Sequence, residues 1–128
     1  MAGHVEVQDR AIISANTGVH QFARIGRYAM ISGGQAMAQD LPPFCLCSEH
    51  RHISGLNLVG MRRAGLGEHI RPLKAAFKIY FRSAHTASNA LAKIKAAGLG
   101  DDPVVAEFIE FVTTSKRGIG AYRKANAP

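Results

Sequence analysis

One aliphatic residue recurs every six positions through the first third of the chain. Counting hexads from Val7, the first positions are Val7, Ile13, Val19, Ile25, Ile31 and Met37, all apolar and five of them β-branched. The fifth positions are Ala11, Thr17, Ala23, Ala29, Gln35 and Leu41, of which the first four are small. An amphipathic helix repeats near 3.6 residues and a plain strand near 2, so neither accounts for this spacing. A parallel β-helix does: each short strand turns one aliphatic side chain inward, and a small residue fits the corner before the next wall. Three hexads then close one triangular coil, and residues 1–41 make a little over two coils. The competing reading is a set of ordinary short strands in a sandwich. Repeat arrays of so few units leave strand edges that need support from another segment or another chain.

The hexads stop at Asp40-Leu41-Pro42-Pro43. Proline donates no ladder hydrogen bond, so strand pairing is expected to end there. Residues 44–53, FCLCSEHRHI, read as a connecting strand or loop. From residue 54 the apolar period becomes helical. Residues 54–64 read as a short helix closed by Gly65. Ile70, Leu73, Phe77 and Phe81 form one apolar face, with Lys74, Lys78 and Arg82 on another. Pro72 suits a first turn, where backbone N–H groups lack partners anyway. Thr86 is the expected N-cap of a helix running to Ala97 and stopped by Gly98. Asp102-Pro103 opens another, with Val105, Phe108, Ile109 and Val112 as its buried stripe. The tail after Arg117 is expected to fray. The predicted organisation is a hexapeptide-repeat β-helix over 1–43, a connector over 44–53 and an α-helical bundle over 54–128.

Composition narrows the class. The chain has 128 residues, 47% hydrophobic and 20% charged, which is globular rather than disordered. Neither a membrane-spanning run nor a signal peptide is read from it. Two neighbouring cysteines form no disulfide framework, so a reducing cytoplasm is the expected compartment. The net charge of +7 is carried entirely by residues 54–128, since residues 1–53 hold four basic and four acidic side chains. A basic surface suits polyanions in general. Nucleic acid is disfavoured, because Phe77, Tyr80 and Phe81 fit a core stripe better than a stacking platform.

Candidate chemistry is sparse. Cys45, Cys47, His50 and His52 offer zinc-ligand types, but their spacing is tighter than that of structural zinc sites and a structural connector fits equally. His4 and His20 lie 16 residues apart, close to one coil, and could stand on adjacent coils near one edge. Arg62-Arg63 lies at the junction of the two halves, where a guanidinium pair suits a pyrophosphate.

Several segments occur in an order that resembles one family. They are Gly3-His4-Val5, Gly18-Val19-His20-Gln21-Phe22, Ile25-Gly26, Ala38-Gln39-Asp40-Leu41-Pro42-Pro43, and Gly55-Leu56-Asn57-Leu58-Val59-Gly60-Met61-Arg62-Arg63. The resemblance is to the C-terminal half of the acyl-carrier-protein-dependent UDP-N-acetylglucosamine O-acyltransferases, which begin lipid A biosynthesis. It implies a left-handed β-helix followed by a helical bundle, assembled as a homotrimer. It also implies acyl carrier protein and UDP-N-acetylglucosamine as partners, with no cofactor and no metal. Gly3 then matches the glycine whose N–H holds the oxyanion. His4, His20 and Gln21 match substrate contacts. Met30 and Gly33 match the far end of the acyl groove. Asn57, Arg62 and Arg63 match the segment that reaches the nucleotide from a neighbouring subunit. The family's general-base histidine falls upstream of Met1, so the chain reads as a truncated member whose own activity is in doubt. Ala64 and Val59 also stand where the family carries a basic and an acidic residue. The alternative is a non-catalytic, trimerising fragment that binds acyl carrier protein through Lys74, Lys78 and Arg82.

Overall fold

The computed structural model describes residues 6–13, 18–19, 24–31, 36–37, 39–49, 52–82, 86–116, 118–120 and 122. Six two-residue strands open it: β1 (Glu6–Val7), β2 (Ile12–Ile13), β3 (Gly18–Val19), β4 (Arg24–Ile25), β5 (Met30–Ile31) and β6 (Ala36–Met37). The aliphatic hexad residue is the second residue of every one. β1 pairs with β4, β2 with β5 and β3 with β6, all parallel. Glu6 faces Arg24, Ile12 faces Met30 and Gly18 faces Ala36, so the register advances eighteen residues per turn. This is the three-walled repeat that the hexads predict, and a sandwich of antiparallel strands is excluded. Ile25 and Ile31 are fully buried, whereas Val7 on the outermost described strand is 40% exposed.

The double proline shortens the repeat without ending it. β7 (Cys45–Glu49) still stacks parallel on β5, with Met30 opposite Leu46 and Ile31 opposite Cys47. Leu41 likewise bridges Ile25 in parallel. Both registers advance sixteen residues instead of eighteen. The prolines sit in the corner between these two pairings, where no ladder donor is required. Gly26 makes room for them: a Cβ there would lie 2.6 Å from Pro43 Cα and 2.7 Å from the Pro42 carbonyl carbon.

β8 (His52–Leu56) folds back antiparallel on β7. Residues 54–56 are therefore strand, and the first helix begins later than its apolar spacing predicts. That helix is α1 (Leu58–Arg63), followed by α2 (Ile70–Phe81), α3 (Ala87–Ala96) and α4 (Pro103–Thr114). Their ends carry the expected caps. Thr86 Oγ1 accepts from Asn89 N, Gly98 turns the chain at φ 75°, and Asp102 accepts from Val104 N and Val105 N. Leu73, Ala76, Phe77, Ile94, Val105 and Phe108 are buried, and they share one continuous core with Ile25, Ile31, Phe44, Cys45, Cys47 and Ile53.

The segment after α4 is tied down rather than frayed as far as Tyr122. Ile119 bridges Asp40 and Tyr122 bridges Ile53, both in parallel. Asp40 is buried and holds this strap with every polar group it has. Its carboxylate accepts from Arg24 N at 2.8 Å and from the Ser115 hydroxyl at 2.6 Å. Its backbone N donates to Gly118 O, and its backbone O accepts from Gly120 N. A buried carboxylate is tolerated when its lone pairs are met in this way.

A second carboxylate staples the helices. Asp102 caps α4 with one oxygen and meets His69 Nδ1 at 2.7 Å with the other. Burial pushes its pKa up, but the hydrogen bond from His69 and those from the Val105 and Val104 amides outweigh that, and the net shift is downward from 3.8. A depressed carboxylate stabilises the fold at pH values above its unfolded pKa, and this contribution disappears as pH falls through the folded value. Asp102→Asn should therefore be less stable than the parent at neutral pH, by about 1 kcal/mol. The two stability curves should converge below about pH 4. Urea melts across pH 3–7 check this; a difference that stayed constant with pH would contradict it.

Candidate functional site

The junction between strands and helices is built on two residues with left-handed backbone. Tyr28 has φ 59° and Phe44 has φ 66°. Their rings stack with centroids 5.8 Å apart and planes 12° from parallel. The Arg27 guanidinium lies 5.3 Å from the Tyr28 ring and 5.2 Å from the Phe44 ring. It also grips Glu107 of α4 with a bidentate pair, 2.7 Å from Nη2 and 3.0 Å from Nε. Its own pKa is raised by that hydrogen bond, against the opposing effect of burial. One arginine thus joins a β corner to the last helix.

α1 rises from this corner. Asn57 is its N-cap: Oδ1 accepts from Gly60 N at 3.0 Å, while Nδ2 donates to Tyr28 O at 2.9 Å. Asn57 N donates to Phe44 O at 2.6 Å. Arg62 and Arg63 occupy the last turn of α1, fully in solvent, where cations suit the negative end of the helix dipole. No described residue pairs with either guanidinium. The structure therefore joins Asn57 to the two arginines through one short helix, with Asn57 inside and the arginines outside.

Met30 lies on β5 and is half-buried, while its neighbour Ile31 turns fully into the core. Leu46, its partner on β7, is half-buried on the same side. The two make an apolar strip on the wall, which sequence reasoning had reduced to Met30 alone. The signal for Leu46 lay in its alternation with the buried Cys45 and Cys47. Gly3, His4, His20, Gln21 and Gly33 lie outside the described residues.

A groove of about 570 Å³ opens on the other side of α1. Leu56, Leu58, Phe77 and Tyr122 give it an apolar floor, and Lys74, Lys78 and Arg82 of α2 stand along it. The chain contributes to it from three distant stretches, which is why the sequence shows the cations but not the cavity.

Cys45 and Cys47 both point into the core and are fully buried. Burial pushes both thiols up, away from the thiolate that binds metal. Among the described residues, no group of three or more histidine, cysteine or acidic side chains is placed to hold a metal ion.

A family model described as domain 2 of UDP N-acetylglucosamine O-acyltransferase matches residues 40–120. The chain belongs to this family. It is 39% identical over 125 residues to the acyl-[acyl-carrier-protein]–UDP-N-acetylglucosamine O-acyltransferase of Burkholderia orbicola, covering 93% of this chain and 47% of that protein. The UDP-N-acetylglucosamine acyltransferase of Bacteroides fragilis superposes with a TM-score of 0.87 at 37% identity, over 93% of this chain and 47% of that one. The Arabidopsis UDP-N-acetylglucosamine acyltransferase gives 0.85 at 33% identity, over 94% and 46%. The chain spans about half the length of the relatives it matches. Acyl transfer is thus the chemistry of the family, and no described helix is long and apolar enough to cross a membrane.

The buried thiols give a direct check on this packing. In the native chain neither Cys45 nor Cys47 should react with a disulfide reagent at pH 8 within minutes, and both should react at once in denaturant. Rapid labelling of the folded chain would contradict their place in the core.

Proposed function

We propose that the chain provides the C-terminal half of a sugar-nucleotide O-acyltransferase. The reaction moves a 3-hydroxyacyl group from acyl carrier protein to the 3-hydroxyl of UDP-N-acetylglucosamine, the first step of lipid A biosynthesis. The observation that carries this reading is the match to family members over nine-tenths of the chain, in both sequence and fold. The strands wind as a left-handed coil, the chain works as a cytoplasmic homotrimer, and the acceptor cleft lies between neighbouring subunits.

Within that cleft the sugar hydroxyl attacks the thioester carbonyl after a base removes its proton. The Gly3 N–H steadies the tetrahedral oxyanion, and the carbon–sulfur bond then breaks to release the carrier thiol. His4, His20 and Gln21 contact the sugar nucleotide. Met30 and Gly33 bound the acyl groove, and the Met30–Leu46 strip supports that placement with an apolar wall. Arg62 and Arg63, exposed and unpaired among the described residues, meet the nucleotide phosphates. The family's general-base histidine has no counterpart in these motifs. Purified chain assayed with acyl carrier thioester and UDP-N-acetylglucosamine should turn over about 10²–10⁴-fold more slowly than a full-length relative. Co-expression with the N-terminal half of that relative should raise the rate. Full turnover by the chain alone would reject the missing base, and no recovery with the added half would reject the shared site.

The groove beside α2 supports a docking role toward acyl carrier protein, whose surface is strongly acidic. Three cations above an apolar floor suit an acidic helix with an apolar face. Reversing charge at Lys74 and Arg82 together, each to Glu, should weaken carrier binding at least tenfold and flatten its dependence on salt. Unchanged binding by calorimetry at 50 and 300 mM salt would remove this surface from the proposal.

A further inference from the structure

Asn57 carries all the polar groups of an amide side chain and a peptide unit, and each is already used inside the protein. Oδ1 meets Gly60 N, Nδ2 meets Tyr28 O, the backbone N meets Phe44 O and the backbone O accepts from Met61 N. The residue is 8% exposed. A nucleotide could reach the amide only by displacing these partners, and a displaced Tyr28 or Gly60 would be left unsatisfied.

Gly60 shows that the fit is specific. A Cβ at Gly60 would collide with the Asn57 amide, lying 2.8 Å from its Cγ. The Asn-x-x-Gly spacing is therefore one device: a side chain that caps α1 and a gap that lets it lie flat against the helix. The same amide then extends to the carbonyl of Tyr28, at a corner where the backbone is held at positive φ. The α1 helix has only six residues, too short to hold its own shape or direction without such anchors.

We infer that Asn57 is a positioning residue. It locks α1 onto the Tyr28–Phe44 corner and so sets where Arg62 and Arg63 stand, without itself touching the nucleotide. This deepens the reading of the arginine pair given above and rests on it for its functional consequence. Its structural core stands on the hydrogen bonds alone.

Three variants of the full chain separate the possibilities. Asn57→Ser keeps a capping oxygen but cannot span to Tyr28. Gly60→Ala leaves Asn57 in the sequence but pushes its side chain away, although alanine is the better helix former. Arg63→Gln removes one nucleotide partner. Hydrogen exchange followed by NMR should show faster exchange at residues 60–64 in both Asn57→Ser and Gly60→Ala, with α4 amides unchanged. Unchanged protection at 60–64 in both overturns the proposal. Titration with UDP should show roughly three- to tenfold weaker binding in Asn57→Ser, the worth of one hydrogen bond. That loss should largely vanish when Arg63→Gln is already present. Losses that instead multiply would mean Asn57 touches the nucleotide itself, and would overturn the positioning role. Absence of UDP binding by the unaltered chain counts against the nucleotide reading of the arginines, and the exchange result then decides the role of Asn57 on its own.

Discussion

The joint at Tyr28 and Phe44 is the constraint on which the two halves depend. Parallel walls built from two-residue strands offer few backbone hydrogen bonds each, so a helix leaving such a wall has little to hold it. Here two left-handed residues turn consecutive layers at the same corner, and their carbonyls are presented to Asn57. A positive φ at a non-glycine residue is unfavourable by itself. It persists because the surroundings fix it: stacked rings inside the corner, an arginine across both, and the Glu107 pair reaching in from α4. The same side chains that stabilise the turn also dock the helices.

Much of this was legible in advance. One aliphatic residue per hexad is legible because each strand buries a single side chain, as Ile25 and Ile31 do. Helix ends were legible because capping uses a small vocabulary, and Thr86, Gly98, Asp102 and Pro103 all serve as their residue types suggest. The segment around residue 54 misled. Ser54 and Gly55 have weak local preference, and the antiparallel pairing with β7 decides their state. The prolines misled for a related reason. Their missing donors matter only where a donor is demanded, and a glycine sixteen residues earlier gives them a place where none is.

The candidate site was legible in a different way. Its arginines stand out as a charged pair beside a helix end, and they do lie in solvent. Asn57 sits in the same short motif and ends inside the protein, because spacing says nothing about which side of a helix a cap turns to. The basic groove needed three chain segments to meet, including Tyr122 from beyond the last helix. No local pattern records that meeting. Its aromatic floor is also part of the core, where Phe77 and Tyr122 pack edge to face at 5.5 Å.

The strap that returns from α4 to Asp40 has a consequence for how the molecule is made. A ribosome delivers the walls first, but the carboxylate of Asp40 has no hydroxyl partner until Ser115 emerges. The bridge from Ile53 to Tyr122 waits longer still. Until then the nascent walls carry a buried acid that is only half satisfied, so their closure is a late event. Translation must run almost to the end of the described chain before the earliest-made part can settle.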